Sequence, residues 1–237
     1  MSRIQKIVLT ILMVDLCGIL YLQHLLADNF AIMGIVLYMV ILSLAAGSWM
    51  APRPTRLHRI VGRAILFIAV GDFFLVFLGT LSMFGKENLV IKVPGMIGFI
   101  CAYSTLIWLF TRRFTFRKQD LLMLLPVFVI IIPVLYTLLP LIEGPMFYFA
   151  IFFTFIVSFM AWNGLCGLHR GFYTKTVSTR FAIAGFLMLL SDMGVAFVMF
   201  YPGMQTNVPW LENEIWITYV PAWTLVFLNL LEEKLVD

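Results

Sequence analysis

The chain has 237 residues, of which 62% are hydrophobic and only 12% are charged, and its mean hydropathy is +1.02. A soluble globular domain carries about 25% charged residues, so this composition excludes a soluble protein. It predicts an integral membrane protein without a separate soluble domain. The net charge of +4 could point to nucleic acid, but the positions of the charges argue against such a partner.

Apolar runs predict eight transmembrane helices, because a span needs about 20 apolar residues. The predicted spans cover residues 4–26, 30–51, 61–84, 93–111, 120–141, 146–167, 180–201 and 213–231. The first run carries Asp15 and has no cleavage site after it, which favours a retained span over a signal peptide. The predicted fold class is all-α, a polytopic helical bundle that forms one transmembrane domain over residues 1–237.

The basic residues predict the orientation of the bundle. Of the 16 Lys and Arg residues, only Lys86 and Lys92 fall on one side of the predicted spans, and the others fall on the opposite side. The positive-inside rule places the crowded side, with both termini, in the cytoplasm. The basic charge therefore reflects topology, and no nucleic-acid partner is predicted. We expect the chain in the inner (cell) membrane of a bacterium, among membrane lipids.

Two aspartates interrupt the apolar runs at matching depths. Asp72 follows Gly71 in the third run, and Asp192 follows Ser191 in the seventh. They lie about 14 Å and 18 Å from the basic residue that begins each run. An Asp near the bilayer centre costs about 2.5–3.5 kcal/mol, so it predicts a functional site. The alternative is that each carboxyl only fixes helix packing. Asp15 lies at a similar depth and is a third candidate.

A pair of buried carboxylates suggests acid–base chemistry. Burial and a like neighbour separate their titrations, so one can act as an acid while the other acts as a base. Glycosidases divide the labour in this way. We therefore predict that Asp72 and Asp192 point into one cavity. Their spans run in the same direction, which hints at a parallel repeat of residues 1–112 and 120–232. No metal or cofactor motif occurs, and none is predicted.

The order of three short motifs resembles the lysoplasmalogenase family. These motifs are Gly71-Asp72-Phe73-Phe74-Leu75, Gly98-Phe99 and Leu190-Ser191-Asp192. The resemblance implies hydrolysis of the vinyl ether bond of a lysophospholipid, without a metal. It also shows departures: Tyr103 and Leu106 stand where the family often has His and Tyr, and the Lys-Pro step near the second span has no counterpart.

Further residues are candidates for the substrate site. Polar or functional side chains that could line a cavity are Ser191, Tyr103, Tyr219 and Asn163. Candidates for phosphate contacts at the cytoplasmic ends of the spans are Arg59, Arg63, Arg113 and Arg180. His58 and His169 lie in basic loops, where water or lipid phosphate is the expected neighbour. Two other functions stay open: a lipid-binding protein without catalysis, and a proton-coupled transporter that uses the same aspartates.

Overall fold

The structure is a computed structural model that describes residues 2–25, 30–79, 89–112, 114–204 and 209–236. Their helices are α1 (Arg3–Leu25), α2 (Phe30–Met50), α3 (Arg56–Asp72), α4 (Leu89–Phe110), α5 (Lys118–Leu122), α6 (Leu124–Leu138), α7 (Pro145–Arg170), α8 (Lys175–Phe200) and α9 (Pro209–Leu230). A π-helical turn, Phe73–Leu78, continues α3, and a 3₁₀ turn, Leu139–Leu141, follows α6. Within the described ranges the β structure is one isolated bridge, between Tyr173 and Val236. The all-α prediction is confirmed.

The helices have the lengths and composition that a bilayer requires. Seven stretches within the described residues are long and apolar enough to span a membrane: Arg3–Leu22, Ile32–Met50, Arg56–Leu78, Val93–Phe110, Lys118–Leu141, Pro145–Arg170 and Lys175–Phe200. The 22-residue α9 is a further long helix. These findings fit an integral membrane protein. The count of eight spans and the side on which the termini lie stay predictions.

The chain divides into two compact units. The first comprises Met1–Leu106 and Val226–Glu233, and the second comprises Ile107–Leu225 and Lys234–Asp237. The boundaries fall within α4 and within α9, so both helices contribute to each unit. Asp72 belongs to the first unit and Asp192 to the second. The single transmembrane domain and the internal repeat stay predictions.

Hydrogen bonds gather three distant segments at one end of the first unit. Gln5, near the start of α1, donates from Nε2 to Glu232 Oε1 at 2.8 Å. His58, near the start of α3, donates from Nε2 to the Glu232 carbonyl at 2.8 Å, and its Nδ1 lies 2.7 Å from Thr55 Oγ1. Both ring nitrogens of His58 have protein partners and its exposure is 0%. The expectation that His58 faces water or lipid was therefore wrong.

A buried carboxylate anchors the short helix α5 in the second unit. Asp120 accepts hydrogen bonds from His169 Nε2 at 2.6 Å, from Arg170 Nη2 at 3.2 Å and from the Arg117 backbone N–H at 3.0 Å. The Trp162 indole N–H donates to the Asp120 carbonyl at 2.7 Å. This cluster joins α5 to the end of α7. His169 was expected to face water, but its side chain is instead paired with Asp120.

Candidate functional site

Asp72 lies where α3 changes its helical geometry. It is the last residue of α3, its exposure is 1%, and the π-helical turn begins at the next residue. A π-helical turn widens the hydrogen-bond spacing from i+4 to i+5, and such turns occur frequently at functional sites. The sequence predicted a buried carboxylate here. The change of helix type beside it was not predicted.

Three glycines bring the backbones of α3 and α4 into direct contact beside Asp72. A Cβ atom at Gly98 would lie 2.7 Å from the Cα and N of Gly71 and 3.0 Å from the Phe67 carbonyl oxygen. A Cβ at Gly71 would lie 3.1 Å from the Gly95 carbonyl oxygen. Small residues allow this close approach of membrane helices. The motifs Gly71-Asp72 and Gly98-Phe99 are therefore the two sides of one helix contact.

Aromatic rings pack on the turn that follows Asp72. Phe73 and Phe77 stack with their ring centroids 5.5 Å apart, and the Tyr38 ring of α2 lies 5.9 Å from Phe73 and 5.3 Å from Phe77. The Tyr38 ring therefore packs on the residue that directly follows Asp72. The sequence analysis missed Tyr38. The available signal was a phenol in the middle of the predicted second span, residues 30–51.

Tyr103, the residue that departs from the family pattern, also lies in the first unit. Its side chain is fully buried. Its ring meets the Phe99 ring edge-on at a centroid distance of 6.0 Å. Phe99 in turn packs against Gly71, because a Cβ there would lie 2.7 Å from Phe99 Cδ2. Tyr103 is thus joined to the helix contact beside Asp72 through one aromatic ring.

Asp192 lies on a stretch of α8 that closely approaches α9. Its exposure is 6%. The preceding Ser191 donates from Oγ to the Ile215 carbonyl of α9 at 3.3 Å. A Cβ atom at Gly194 would lie 2.8 Å from Ile215 Cγ1 and would collide with Glu214 Oε2. Ser191 and Gly194, the small residues that flank Asp192, therefore pack against the start of α9. The Ser191 hydroxyl is used in this helix contact.

This contact reveals a further carboxylate, Glu214, that the sequence analysis missed. Glu214 Oε2 is shielded from solvent and has no hydrogen-bond partner among the residues that the structure describes. It lies against Gly194, two residues beyond Asp192. A signal was present in the sequence, because Glu214 falls inside the predicted last span, 213–231. It was not named there among the candidate residues.

The other two candidates for lining a cavity, Asn163 and Tyr219, both lie in the second unit. Asn163 donates from Nδ2 to the Phe159 carbonyl at 2.9 Å and accepts from Arg170 at 3.1 Å, so its amide is engaged beside the Asp120 cluster. Tyr219 is buried between the rings of Trp216 and Trp223. A cavity role for either residue stays a prediction.

The basic candidates and Asp15 differ in exposure. Arg59 and Arg63 are exposed one turn apart on α3, whereas Arg180 is buried at the start of α8. Arg113 lies outside the described residues. Asp15 is half-buried in α1. The shared cavity of the two main aspartates stays a prediction, because they belong to different units.

Comparison with known families bears directly on these residues. The model of the YhhN family matches residues 30–230. The chain belongs to the YhhN family. This family includes lysoplasmalogenases, so the resemblance read from the short motifs is supported. The matched range contains Asp72 and Asp192 and begins after Asp15. No curated protein and no solved structure matches the chain.

Proposed function

We propose that this YhhN-family protein is a membrane hydrolase that cleaves the vinyl ether bond of lysoplasmalogens. The products are a fatty aldehyde and the glycerophospho-headgroup. The observation that carries the proposal is the burial of Asp72 and Asp192, with exposures of 1% and 6%, inside apolar helices of a chain from this family. Such carboxylates are costly in a membrane, and function is the usual reason that they are retained.

The chemistry of a vinyl ether suits a pair of carboxyl groups. Protonation of the outer alkenyl carbon gives an oxocarbenium ion, and water then attacks the carbon bonded to oxygen. The resulting hemiacetal collapses to an aldehyde and an alcohol. An acid must donate the first proton and a base must accept a proton from water, so one protonated and one ionised aspartate are sufficient. The same division operates around the oxocarbenium-like transition state of glycosidases.

The substrate class implies an amphipathic site. A single-chain phospholipid needs an apolar slot for its tail and cationic groups near its phosphate. Arg59 and Arg63 are exposed near the start of α3. Arg63 lies about 14 Å along the helix from Asp72. Arginine binds phosphate well because its planar donors match the phosphate oxygens. We place the headgroup at this basic end, which the charge distribution assigns to the cytoplasm.

The decisive experiment is aldehyde release by the purified full chain. Lysoplasmalogens with ethanolamine and choline headgroups should both be tried. The matched control is the 1-O-alkyl lysophospholipid, which has the same tail and headgroup but no double bond to protonate, and it should stay intact. A protein that releases no aldehyde from any vinyl ether lipid, yet binds it, would refute the proposal. That result would favour the lipid-binding alternative and identify Tyr103 as the decisive departure.

A further inference from the structure

The connection between α4 and α5 carries the densest group of basic residues in the chain. Residues 111–118, which we call the basic segment, contain four cations and no acidic residue. The stretch before them ends at Phe110 and the stretch after them begins at Lys118, and both stretches are long and apolar enough to span a membrane. A short connection between two spanning helices lies at the membrane surface. The four cations are Arg112, Arg113, Arg117 and Lys118, of which Arg113 is counted by sequence alone.

Contacts within the second unit hold the basic segment in place. Arg117 donates from its backbone N–H to the Asp120 carboxylate at 3.0 Å and from Nη1 to the His169 carbonyl at 2.9 Å. The guanidinium carbon of Arg170 lies 4.4 Å from the centroid of the Phe114 ring. The described part of the segment is therefore fixed to the end of α7. A surface that is already ordered loses less entropy when it binds a partner.

Aromatic rings are exposed beside these cations. The Phe116 side chain is 58% exposed, and Phe114 is exposed as well. Arg117 and Lys118 follow Phe116 directly and are also exposed. An exposed phenylalanine is unfavourable in water, but it is stable at the boundary between lipid headgroups and acyl chains, where basic side chains reach the phosphates. This mixture of rings and cations therefore suits a lipid surface.

Arg112 is held by an aromatic ring. Its guanidinium carbon lies 3.5 Å from the centroid of the Trp108 ring. Trp108 is exposed in the last turn of α4, and tryptophan is enriched at the ends of membrane spans, at the level of the headgroups. Stacking occupies one face of the guanidinium and leaves N–H groups at its edge, which match the geometry of phosphate oxygens. Trp108 thus holds one phosphate-binding group of the basic segment in place.

The cations of the basic segment lack acidic partners in the described part of the chain. Asp120, the acidic residue nearest in sequence, is buried and is already paired with His169 and Arg170. Among the described residues no carboxylate forms an ion pair with Arg112, Arg117 or Lys118. Like charges so close together repel one another. An anion from outside the protein would therefore stabilise the segment.

We propose that the basic segment, together with Trp108, binds the headgroups of anionic phospholipids at the membrane surface. The negative charge of these lipids complements the four cations, and their acyl chains accommodate the exposed rings. A soluble acidic protein would complement the charges alone. The lipid is here a partner and not a substrate, so the inference does not rest on the proposed function. Each cation near an anionic surface contributes about a fivefold gain in affinity.

The test measures the lipid selectivity of the purified full chain by native mass spectrometry. Detergent micelles are doped with equal amounts of phosphatidylglycerol and phosphatidylcholine, which share their acyl chains and differ in net charge. Wild type should retain phosphatidylglycerol preferentially, and the preference should weaken at high salt. Arg117→Gln with Lys118→Gln should lower the affinity for phosphatidylglycerol about 25-fold, as two fivefold losses, and leave phosphatidylcholine binding unchanged. Arg117→Lys with Lys118→Arg keeps the charge and should keep the preference.

Smaller changes separate the contributions of charge and ring. Lys118→Gln alone should cost about fivefold in affinity for phosphatidylglycerol, and it stays informative if the double variant unfolds. Phe116→Ser removes a ring without changing the charge and should weaken phosphatidylglycerol retention severalfold. Thermal unfolding in detergent verifies that each variant is folded. Unchanged retention by folded Lys118→Gln and Phe116→Ser would overturn the assignment to this segment.

A charge-matched control separates the basic segment from basic charge in general. Arg3→Gln with Lys6→Gln removes two exposed cations at the start of α1, in the first unit, and should keep most of the preference. Equal losses in the two double Gln variants would overturn the proposal, because basic charge elsewhere on the chain would then serve as well. A wild type without preference for phosphatidylglycerol would also overturn it. If that wild type bound polyglutamate instead, an acidic protein would replace lipid as the partner.

Discussion

The contact between α3 and α4 gives a quantitative prediction for Gly98→Ala. The added methyl carbon would lie 2.7 Å from the Cα and N of Gly71. Favourable carbon contacts begin at about 3.5 Å, so the two helices must separate by about 1 Å at this point. Gly71 immediately precedes Asp72, so the carboxyl is displaced with the backbone. A misplacement of about 1 Å costs on the order of 10²-fold in rate, or about 2.7 kcal/mol of transition-state stabilisation.

The matched control is Gly167→Ala in α7. It introduces the same methyl group into a membrane helix, but apart from its own helix backbone and chain neighbours no atom of the described residues lies within 4 Å of the new Cβ. This variant should keep wild-type kcat/KM for aldehyde release and wild-type thermal unfolding in detergent. Gly98→Ala should lose turnover even in the fraction that stays folded and monodisperse. Wild-type turnover by folded Gly98→Ala would refute the reasoning, because the close contact would then not set the position of Asp72.

Three further predictions concern catalysis, stability and topology. Asp72→Asn and Asp192→Asn should each reduce aldehyde release by about 10²–10⁴-fold in monodisperse protein. If the pair acts as a unit, the double variant should be little worse than either single variant; folded Asn variants with near wild-type turnover would contradict the acid–base roles. Asp120→Asn leaves the buried Arg170 guanidinium without its carboxylate partner and should lower stability by about 3 kcal/mol without lowering kcat of the folded fraction, as followed by thermal unfolding and by activity per folded molecule. Reporter fusions at Glu143 and at Asp237 should report opposite sides of the membrane. Identical readouts would contradict the eight-span topology.

The residues most accessible to sequence analysis were the two aspartates. A carboxylate in a long apolar run is costly whichever way it faces, so its position alone carries information. The sequence motifs Gly71-Asp72 and Gly98-Phe99 were recognisable by their order along the chain. Their physical connection was not, because a glycine looks the same in a sequence whether its neighbour is a backbone or open space. Only the structure shows that a Cβ at Gly98 would meet the Gly71 backbone and that a Cβ at Gly167 would meet no other described segment within 4 Å.

The errors concern polar groups whose partners are distant along the chain. His58 was assigned to a solvated loop, but it bonds to Glu232, which is 174 residues away. His169 was assigned in the same way, but it pairs with Asp120, 49 residues earlier. Charge and hydropathy patterns describe local segments, so they favour water as the default neighbour of a loop histidine. A buried partner that arrives from a remote segment leaves no trace in such patterns.

Hydroxyl groups in the apolar helices show how satisfied and functional polarity differ. Thr105 and Thr224 bond to their own helices, so they would be equally stable in any packing arrangement and say nothing about function. Ser158 and Glu214 have buried oxygens without such local bonds among the described residues, and both lie in the second unit with Asp192. Helix packing by itself accounts for the threonine hydroxyls, whereas it gives no account of the buried oxygens of Ser158 and Glu214. These oxygens are therefore the more informative polar atoms of the second unit.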